Sequence, residues 1–551
     1  MRARRAAGIL ALLTTLAFGP TPHAWAADSS GLTVDLTAVS PAFLTPGEAL
    51  TVSGRVTNAS TATITATSVT LGMQRSAPST RSALDLWLDT DVSFATVRLD
   101  RRDDAADLEP DASRSFTFTI DPADLPLSPS SSSWGPRGLA VDVVGTSTVG
   151  TLRASGRTHV VWYPGSGAAP TVVSLLVPLV PSSAELAAAA LEGGAVAEQS
   201  HDRVLGVAQA TADHPAVGWA LDPLLVVGSD AEETPTSSTD ALASPPAEGA
   251  GDGEAGDAED PARDTGDGTD GASQPDVTDL GQVLAPLAQG REIVALTYAD
   301  VDDGATVHAD RLDLLDAAGE IGRETFGAAG LTSLPGVVWP AAQAPDLDTA
   351  RAHAERGASS LILPDPALPL RQELTFTPTG RGTVTTGGAS VSALLAEEAL
   401  SVALGGARPA GDERVEADDL GARQHLLALT AMITRERPSD GRHVLAVARR
   451  TFDGDAAALR ERISALAAAP WARLAPLSDL LERPDPGFDR VAPRAVVRED
   501  GEADSSLLEQ VVAAQASLEA FATIVAEPEL LAREERRRLL QVASAAWRVD
   551  P

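Results

Sequence analysis

Carboxylates and aromatic rings are the side chains here best suited to chemistry, and they gather just past apolar runs. Asp222 closes Trp219-Ala220-Leu221-Asp222-Pro223. Tyr298, Asp300, Asp302 and Asp303 follow the run that opens at Ile293, Trp339 ends the run 336–339, and Asp365 follows 360–363. Two carboxyls can act as general acid and base while a ring face stacks on a sugar, so this mixture suits a carbohydrate. Asp222 and Asp300 are the candidate catalytic pair; retaining or inverting glycoside chemistry would need them ~5–5.5 Å or ~6.5–9.5 Å apart. Tyr298, Asp302, Trp339 and Asp365 are the candidate ligand-binding residues. A plainer reading competes, because Asp before Pro is turn and helix N-cap chemistry and accounts for Asp222-Pro223 and Asp365-Pro366 without a ligand.

Other chemistries lack anchors. The eight histidines (His23, His159, His201, His214, His308, His353, His425 and His443) include no pair at i, i+3 or i+4, so no metal site is expected. Residues 298–304 resemble the Asp-Asp-Gly segment of polysaccharide deacetylases, without the histidine pair of their metal site. No Gly-x-Ser-x-Gly elbow occurs, and no glycine-rich fingerprint follows the first buried run, so neither an α/β-hydrolase nor a nucleotide cofactor is supported. No cofactor is expected.

Positioning such residues requires a sheet that delivers them to one edge. Over 166–500, apolar runs at 172–180, 217–227, 293–298, 336–339, 360–363, 443–448 and 471–477 alternate with helical stretches at 182–191, 309–317, 347–356, 391–404, 420–435 and 456–468. Strands buried on both faces and separated by helices imply a parallel sheet. With a weak candidate at 374–377, the count of about 7–8 strands approaches a closed β/α barrel. An open doubly wound sheet is the alternative. Residues 27–165 read differently: Leu50, Val52 and Val56 alternate with polar residues, as do Phe116, Phe118 and Ile120. About seven short strands result, predicting an all-β immunoglobulin-like sandwich with a helical or edge insertion at 81–88, serving as a spacer or adhesion module. Residues 501–551 predict a pair of helices, broken at Pro528, that packs on the barrel. Within the barrel region, 229–278 carries fourteen acidic residues against Arg263 alone and no aromatic residue. Such a segment cannot offset ordering entropy and is expected to be disordered; its Asp and Gly keep no nine-residue calcium period.

The chain has 551 residues, 77 Asp+Glu against 42 basic residues that are all Arg, a net charge of −35 and no Cys. That balance, with no polybasic cluster after the N-terminus, opposes binding to nucleic acid or to anionic membranes. Arg2, Arg4 and Arg5, an apolar run over 6–18 and Ala24-Trp25-Ala26 read as a signal peptide over 1–26 cut after Ala26, a retained anchor being the alternative. No later run is long enough for a transmembrane helix. A secreted or extracytoplasmic envelope location follows, with stability from packing rather than disulfides.

Ser40-Pro41, Thr45-Pro46-Gly47, Thr80-Arg81-Ser82, Trp87, Leu176-Val177-Pro178-Leu179, Trp219–Pro223, Thr297–Asp302, Val338-Trp339-Pro340 and Ser544-Ala545-Ala546-Trp547-Arg548, in this order, resemble a family of uncharacterised actinobacterial envelope proteins, often encoded beside the lipid II flippase. The resemblance implies an exported immunoglobulin-like domain and a barrel similar to glycoside hydrolases or polysaccharide deacetylases, with no established activity. It also implies a further β-domain and a membrane helix, so this chain is expected to be a truncated or a released form. The function expected is an exported envelope protein whose barrel cleft binds a glycan or peptidoglycan-related ligand. Its alternatives are a glycoside hydrolase using Asp222 and Asp300, and a non-catalytic scaffold for envelope machinery. A cell-wall glycan or an envelope protein is the expected partner.

Overall fold

Alternation of apolar and polar residues shapes the first part of the chain. β1 (Leu32–Ser40), β3 (Leu50–Asn58) and β6 (Ser113–Ile120) form a three-stranded sheet, while β2 (Phe43–Leu44), β4 (Ile64–Met73), β5 (Val97–Asp104), β7 (Gly135–Ser147) and β8 (Gly150–Trp162) form a second in the order β2-β8-β7-β4-β5. Leu50, Val52, Phe116, Phe118 and Ile120 are buried, whereas Ser53 and Thr117 share a hydroxyl hydrogen bond of 2.9 Å on the opposite face. A one-residue slip would exchange those faces. The insertion at 81–88 is α1 (Ser82–Leu88). Its Trp87 donates Nε1–H to the Thr158 carbonyl at 2.9 Å and lies on Gly138, where a Cβ would stand 2.2 Å from the ring.

This is a computed structural model that describes residues 31–227 and 279–548, apart from 149, 193–194, 343, 389, 411–412, 451 and 523–527. The expected signal peptide and the whole of the expected acidic insertion lie outside the described residues. The chain divides into two compact units, Met1–Gly165 and Ser166–Pro551.

In the second unit the strands are β9 (Thr171–Leu179), β10 (Gly218–Leu221), β11 (Ile293–Ala295), β12 (Val337–Val338), β13 (Ser360–Pro364), β14 (Arg381–Thr385), β15 (Ser390–Ala396), β16 (Ala407–Ala410), β17 (Glu413–Glu416), β18 (His443–Val447) and β19 (Ala472–Leu474). Seven run parallel in the order β11-β10-β9-β18-β15-β13-β12. The ladder is open between β11 and β12, yet Leu334 N donates to the Ile293 carbonyl at 2.7 Å beside that gap, so the barrel is nearly closed. All nine residues of β9 are buried, as a strand covered on both faces requires.

Three expectations about these elements need correction. Residues 391–404 are not one helix: 390–396 are a barrel strand, and only Glu398–Leu404 is helical. Its Ala and Leu favour helix locally, but pairing with β13 over five residue pairs overrides so weak a preference. No strand forms at 374–377, where Phe376 instead meets Phe488 and the Arg437 guanidinium. The run 471–477 makes no eighth stave; β19 pairs with Thr171–Val173 of β9, on the edge that β10 occupies from Leu176 onward.

The helices of this unit are α2 (Ser183–Glu192), α3 (Val196–Ala210), α4 (Leu280–Ala288), α5 (Asp303–His308), α6 (Leu312–Ala328), α7 (Leu347–Glu355), α8 (Glu398–Leu404), α9 (Asp419–Glu436), α10 (Ala456–Ala468), α11 (Leu477–Leu481), α12 (Ser505–Ala522) and α13 (Pro528–Val542). Inside the barrel, Leu176, Val294, Ile362, Leu394 and Leu445 cluster with Leu477 and Leu480 of α11. Leu508 and Val511 of α12 and Leu540 of α13 join Tyr298, Val301 and Leu314 in a second core. Before α12 the chain crosses the barrel as a strap: Val491 N donates to the Pro369 carbonyl at 2.8 Å, Leu347 N to the Arg494 carbonyl at 2.9 Å, and Val497 N to Asp346 Oδ2 at 2.6 Å. No described helix is long and apolar enough to cross a membrane.

Candidate functional site

Parallel strands bring their carboxyl ends to one rim, and the loops leaving that rim carry the candidate groups. Asp222 directly follows β10 and caps the turn Pro223–Val226. Its Oδ1 accepts from Leu224 N at 2.9 Å and from Ala299 N at 3.0 Å, so the turn-forming role is real. The side chain is fully buried, and Oδ2 has no hydrogen-bond partner among the described residues. Burial, and after it the charge of Asp300, push this carboxyl well above its ordinary range.

The loop after β11 is bent through two left-handed residues, Ala299 at φ 59° and Asp300 at φ 45°, a conformation that side chains with a Cβ seldom adopt. The bend turns Asp300 inward, to 3.2 Å from Arg450 Nη1. Burial raises Asp300 to about 6; Arg450 opposes that rise, and Asp303 and Asp302 add to it. Arg450 is fixed twice more, donating Nη2–H to the Trp339 carbonyl at 2.6 Å and lying 4.3 Å above the centre of the Trp339 ring.

The next two acids are equally engaged. Asp302 caps α5 through Ala305 N at 2.9 Å and takes Arg548 as a fork, Nη2 to Oδ1 at 2.5 Å and Nε to Oδ2 at 2.8 Å, while Arg548 Nη1 reaches Glu499 at 2.6 Å. Those contacts outweigh the cost of burial and raise Arg548 above the usual arginine value. Asp303 lies 2.6 Å from His353 Nε2. Nearby, His308 stands between two carboxylates, Nε2 at 2.7 Å from Asp346 and Nδ1 at 2.8 Å from Glu502. An imidazole can donate to both only as the imidazolium. Burial lowers His308, but the bonds to Glu502 and Asp346 prevail and raise it.

Two cavities open among these groups, of about 540 Å³ and about 530 Å³. Trp339, Ala341 and Arg450 line both. The first is bordered by Asp300, Asp303 and His353; the second has Ile362, Leu363, Val447 and Ala448 for its apolar wall, with Glu398, Arg498, Glu499 and Arg548 among its polar ones. Of the six expected site residues, Asp300 and Trp339 border a cavity. Asp222 and Asp302 are buried and line neither cavity, and Tyr298 is buried in the core with residues of α12 and α13. Asp365 is half-buried just past β13, outside both linings. Sequence reasoning missed Arg450, His353 and Arg548. Arg450 did carry a signal, since it closely follows the run 443–448; Arg548 closes the last segment quoted for the resemblance, with nothing there to mark it as a partner of Asp302, and His353 carried no signal. Among the described residues no cluster of three or more His, Asp or Glu is placed to hold a metal ion.

The chain belongs to DUF6049, a family of unknown function. The match covers residues 1–551. No curated protein matches the chain. The DUF6049 chain is similar to a Mycobacterium smegmatis structure assigned as a polysaccharide deacetylase, at 14% identity and a TM-score of 0.36 over 60% of this chain and 95% of that one. It is also similar to the 4-alpha-glucanotransferase of Thermococcus litoralis, at 13% identity and a TM-score of 0.36, over 64% of this chain and 47% of that one. At such distance neither assigns a reaction, a substrate or a site residue to the DUF6049 chain.

Proposed function

We propose that this protein is exported to the cell envelope and binds a cell-wall glycan at the rim of its barrel, with its N-terminal β unit acting as an immunoglobulin-like spacer. One observation carries the reading: the stacked Trp339 and Arg450 stand where the two cavities meet. A ligand spanning both would cross an aromatic and guanidinium wall, with Glu398 and Glu499 of the second cavity to accept from hydroxyls. Apolar walls with a few convergent polar groups are usual for such sites. Export is supported by the basic, apolar and Ala-x-Ala pattern of residues 1–26.

Hydrolysis by Asp222 with Asp300 has little support. Asp222 is sealed from both cavities, and one of its oxygens is committed to two backbone donors. The test is titration of the purified full-length chain with peptidoglycan fragments and chitohexaose, followed by calorimetry. Trp339→Ala should weaken binding about tenfold, as the loss of one ring contact worth ~1–1.5 kcal/mol implies. Asp222→Asn should bind as the parent does. A parent chain that binds no glycan, or a Trp339→Ala variant of undiminished affinity, refutes the reading and leaves the scaffold role.

A further inference from the structure

The 540 Å³ cavity holds an oriented imidazole and a carboxylic acid that glycan binding alone does not call for. Asp303 is pinned by two backbone donors on Oδ1, Gly304 N at 2.8 Å and Ala341 N at 3.0 Å, leaving Oδ2 to His353 Nε2 at 2.6 Å. Burial disfavours its charge, yet His353, then Arg450 and Arg548, hold it below the ordinary range. A carboxylate only accepts, so in the neutral ring Nε2 carries the proton and Nδ1 the lone pair. Nδ1 has no hydrogen-bond partner among the described residues, is not one of their sealed polar atoms, and belongs to a residue that lines the cavity. Asp300 lines the same cavity from the left-handed bend, with Arg450 beside it to hold its anion.

We propose that His353 and Asp300 are the base and acid of a glycoside-hydrolysing site in this cavity, with Asp303 as a positioning residue. The proposal rests on the glycan reading for its substrate class and replaces Asp222, which cannot be reached, as partner of Asp300. A water oxygen bonds to the anomeric carbon while its proton passes to His353 Nδ1. The bond from that carbon to the glycosidic oxygen breaks, and this oxygen keeps the electron pair and takes the Asp300 proton. One water is consumed and two hydroxyl-bearing fragments leave. The imidazolium then returns its proton to Asp300 through solvent, with no oxidant or cofactor involved.

The competing view is that Asp303 and His353 merely tie α5 to α7. To separate them, the full-length chain is incubated with chitohexaose and with cellohexaose, new reducing ends are counted by mass spectrometry, and binding of both sugars is measured in parallel. The expected result is cleavage of at least one. In that case His353→Gln and Asp300→Asn each lose roughly 10²–10⁴-fold in kcat, KM stays within about threefold, and added imidazole restores turnover to His353→Ala. A structural tie predicts neither the rescue nor the split between kcat and KM. Hexasaccharides that bind but are not cleaved, or cleavage undiminished in His353→Gln, overturn this proposal and spare the binding reading; if neither sugar binds, this proposal falls, and the binding reading falls with it only when peptidoglycan fragments fail to bind as well. Should His353→Gln fail to fold, Asp300→Asn decides by the same criteria.

Discussion

Replacing His308 by glutamine should release the strap from the barrel, and the size of the effect can be worked from the contacts. The side chains of His308, Asp346 and Glu502 are 4%, 0% and 8% exposed, so water screens their attraction little. Removing one partner of a buried ion pair costs ~3–5 kcal/mol because the other charge is left unpaired. Glutamine keeps one donor, which puts the loss near ~3 kcal/mol, or roughly 10²-fold in a local opening equilibrium. Amide exchange read by mass spectrometry over residues 494–505 at pH 6 should show that acceleration, while exchange in β9 should not change. The sign with pH follows from the two shifts. His308 is raised above its unfolded value, so its contribution is complete below about pH 6.5 and is lost as pH rises through the elevated folded value. Asp346 is lowered despite burial, because Thr349 N, Val497 N and His308 favour its charge; its contribution is present above about pH 3.9 and lost as pH falls through the depressed value. After division by intrinsic exchange rates, the gap between parent and His308→Gln should be widest between those limits and close at higher pH. Equal protection of the strap in both proteins at pH 6, or a gap unchanged at pH 9, would refute the charge-clamp reasoning.

Two further outcomes follow from buried contacts. Because Asp222 is raised in the folded state, this group holds its proton more tightly there than in the unfolded chain, and its own contribution to stability is lost as pH climbs from about 4; Asp222→Asn should gain on the parent over that climb in urea unfolding, and a constant difference would contradict the sign. Gly138→Ala places a Cβ 2.2 Å from a Trp87 ring already held by its indole hydrogen bond, so the N-terminal unit should lose ~1–3 kcal/mol and its near-ultraviolet tryptophan signal should change, whereas an unaltered melting temperature would show that α1 can move aside.

Much of the architecture was legible in residue order because its elements are locally encoded. The continuous apolar run at 172–180 could hardly be other than a strand covered on both faces, and it is β9. The helical stretch at 456–468 is α10 to the residue. Legibility failed where local preference and tertiary pairing disagree. Residues 390–396 hold enough Ala and Leu to suit a helix, and partners on β13 and β14 made them a strand. Val97–Asp104 became an edge strand although it carries Asp100, Arg101, Arg102, Asp103 and Asp104, because its pairing with β4 tolerates charge on an edge open to water.

The site divides in the same way. Residue type and spacing alone located the acids of 298–303 and Trp339 at strand ends, and their chemistry alone made a carbohydrate the ligand to expect. Which acids remain available was decided by partners distant in the chain: Arg548 for Asp302, His353 for Asp303, Arg450 for Asp300, and backbone N–H groups for Asp222. Hydrophobic periodicity is written within a dozen residues, so it survives in sequence. The protonation and reach of a buried carboxyl depend on which charges come within a few ångströms of it and on how much water is excluded, and closure of the barrel sets both.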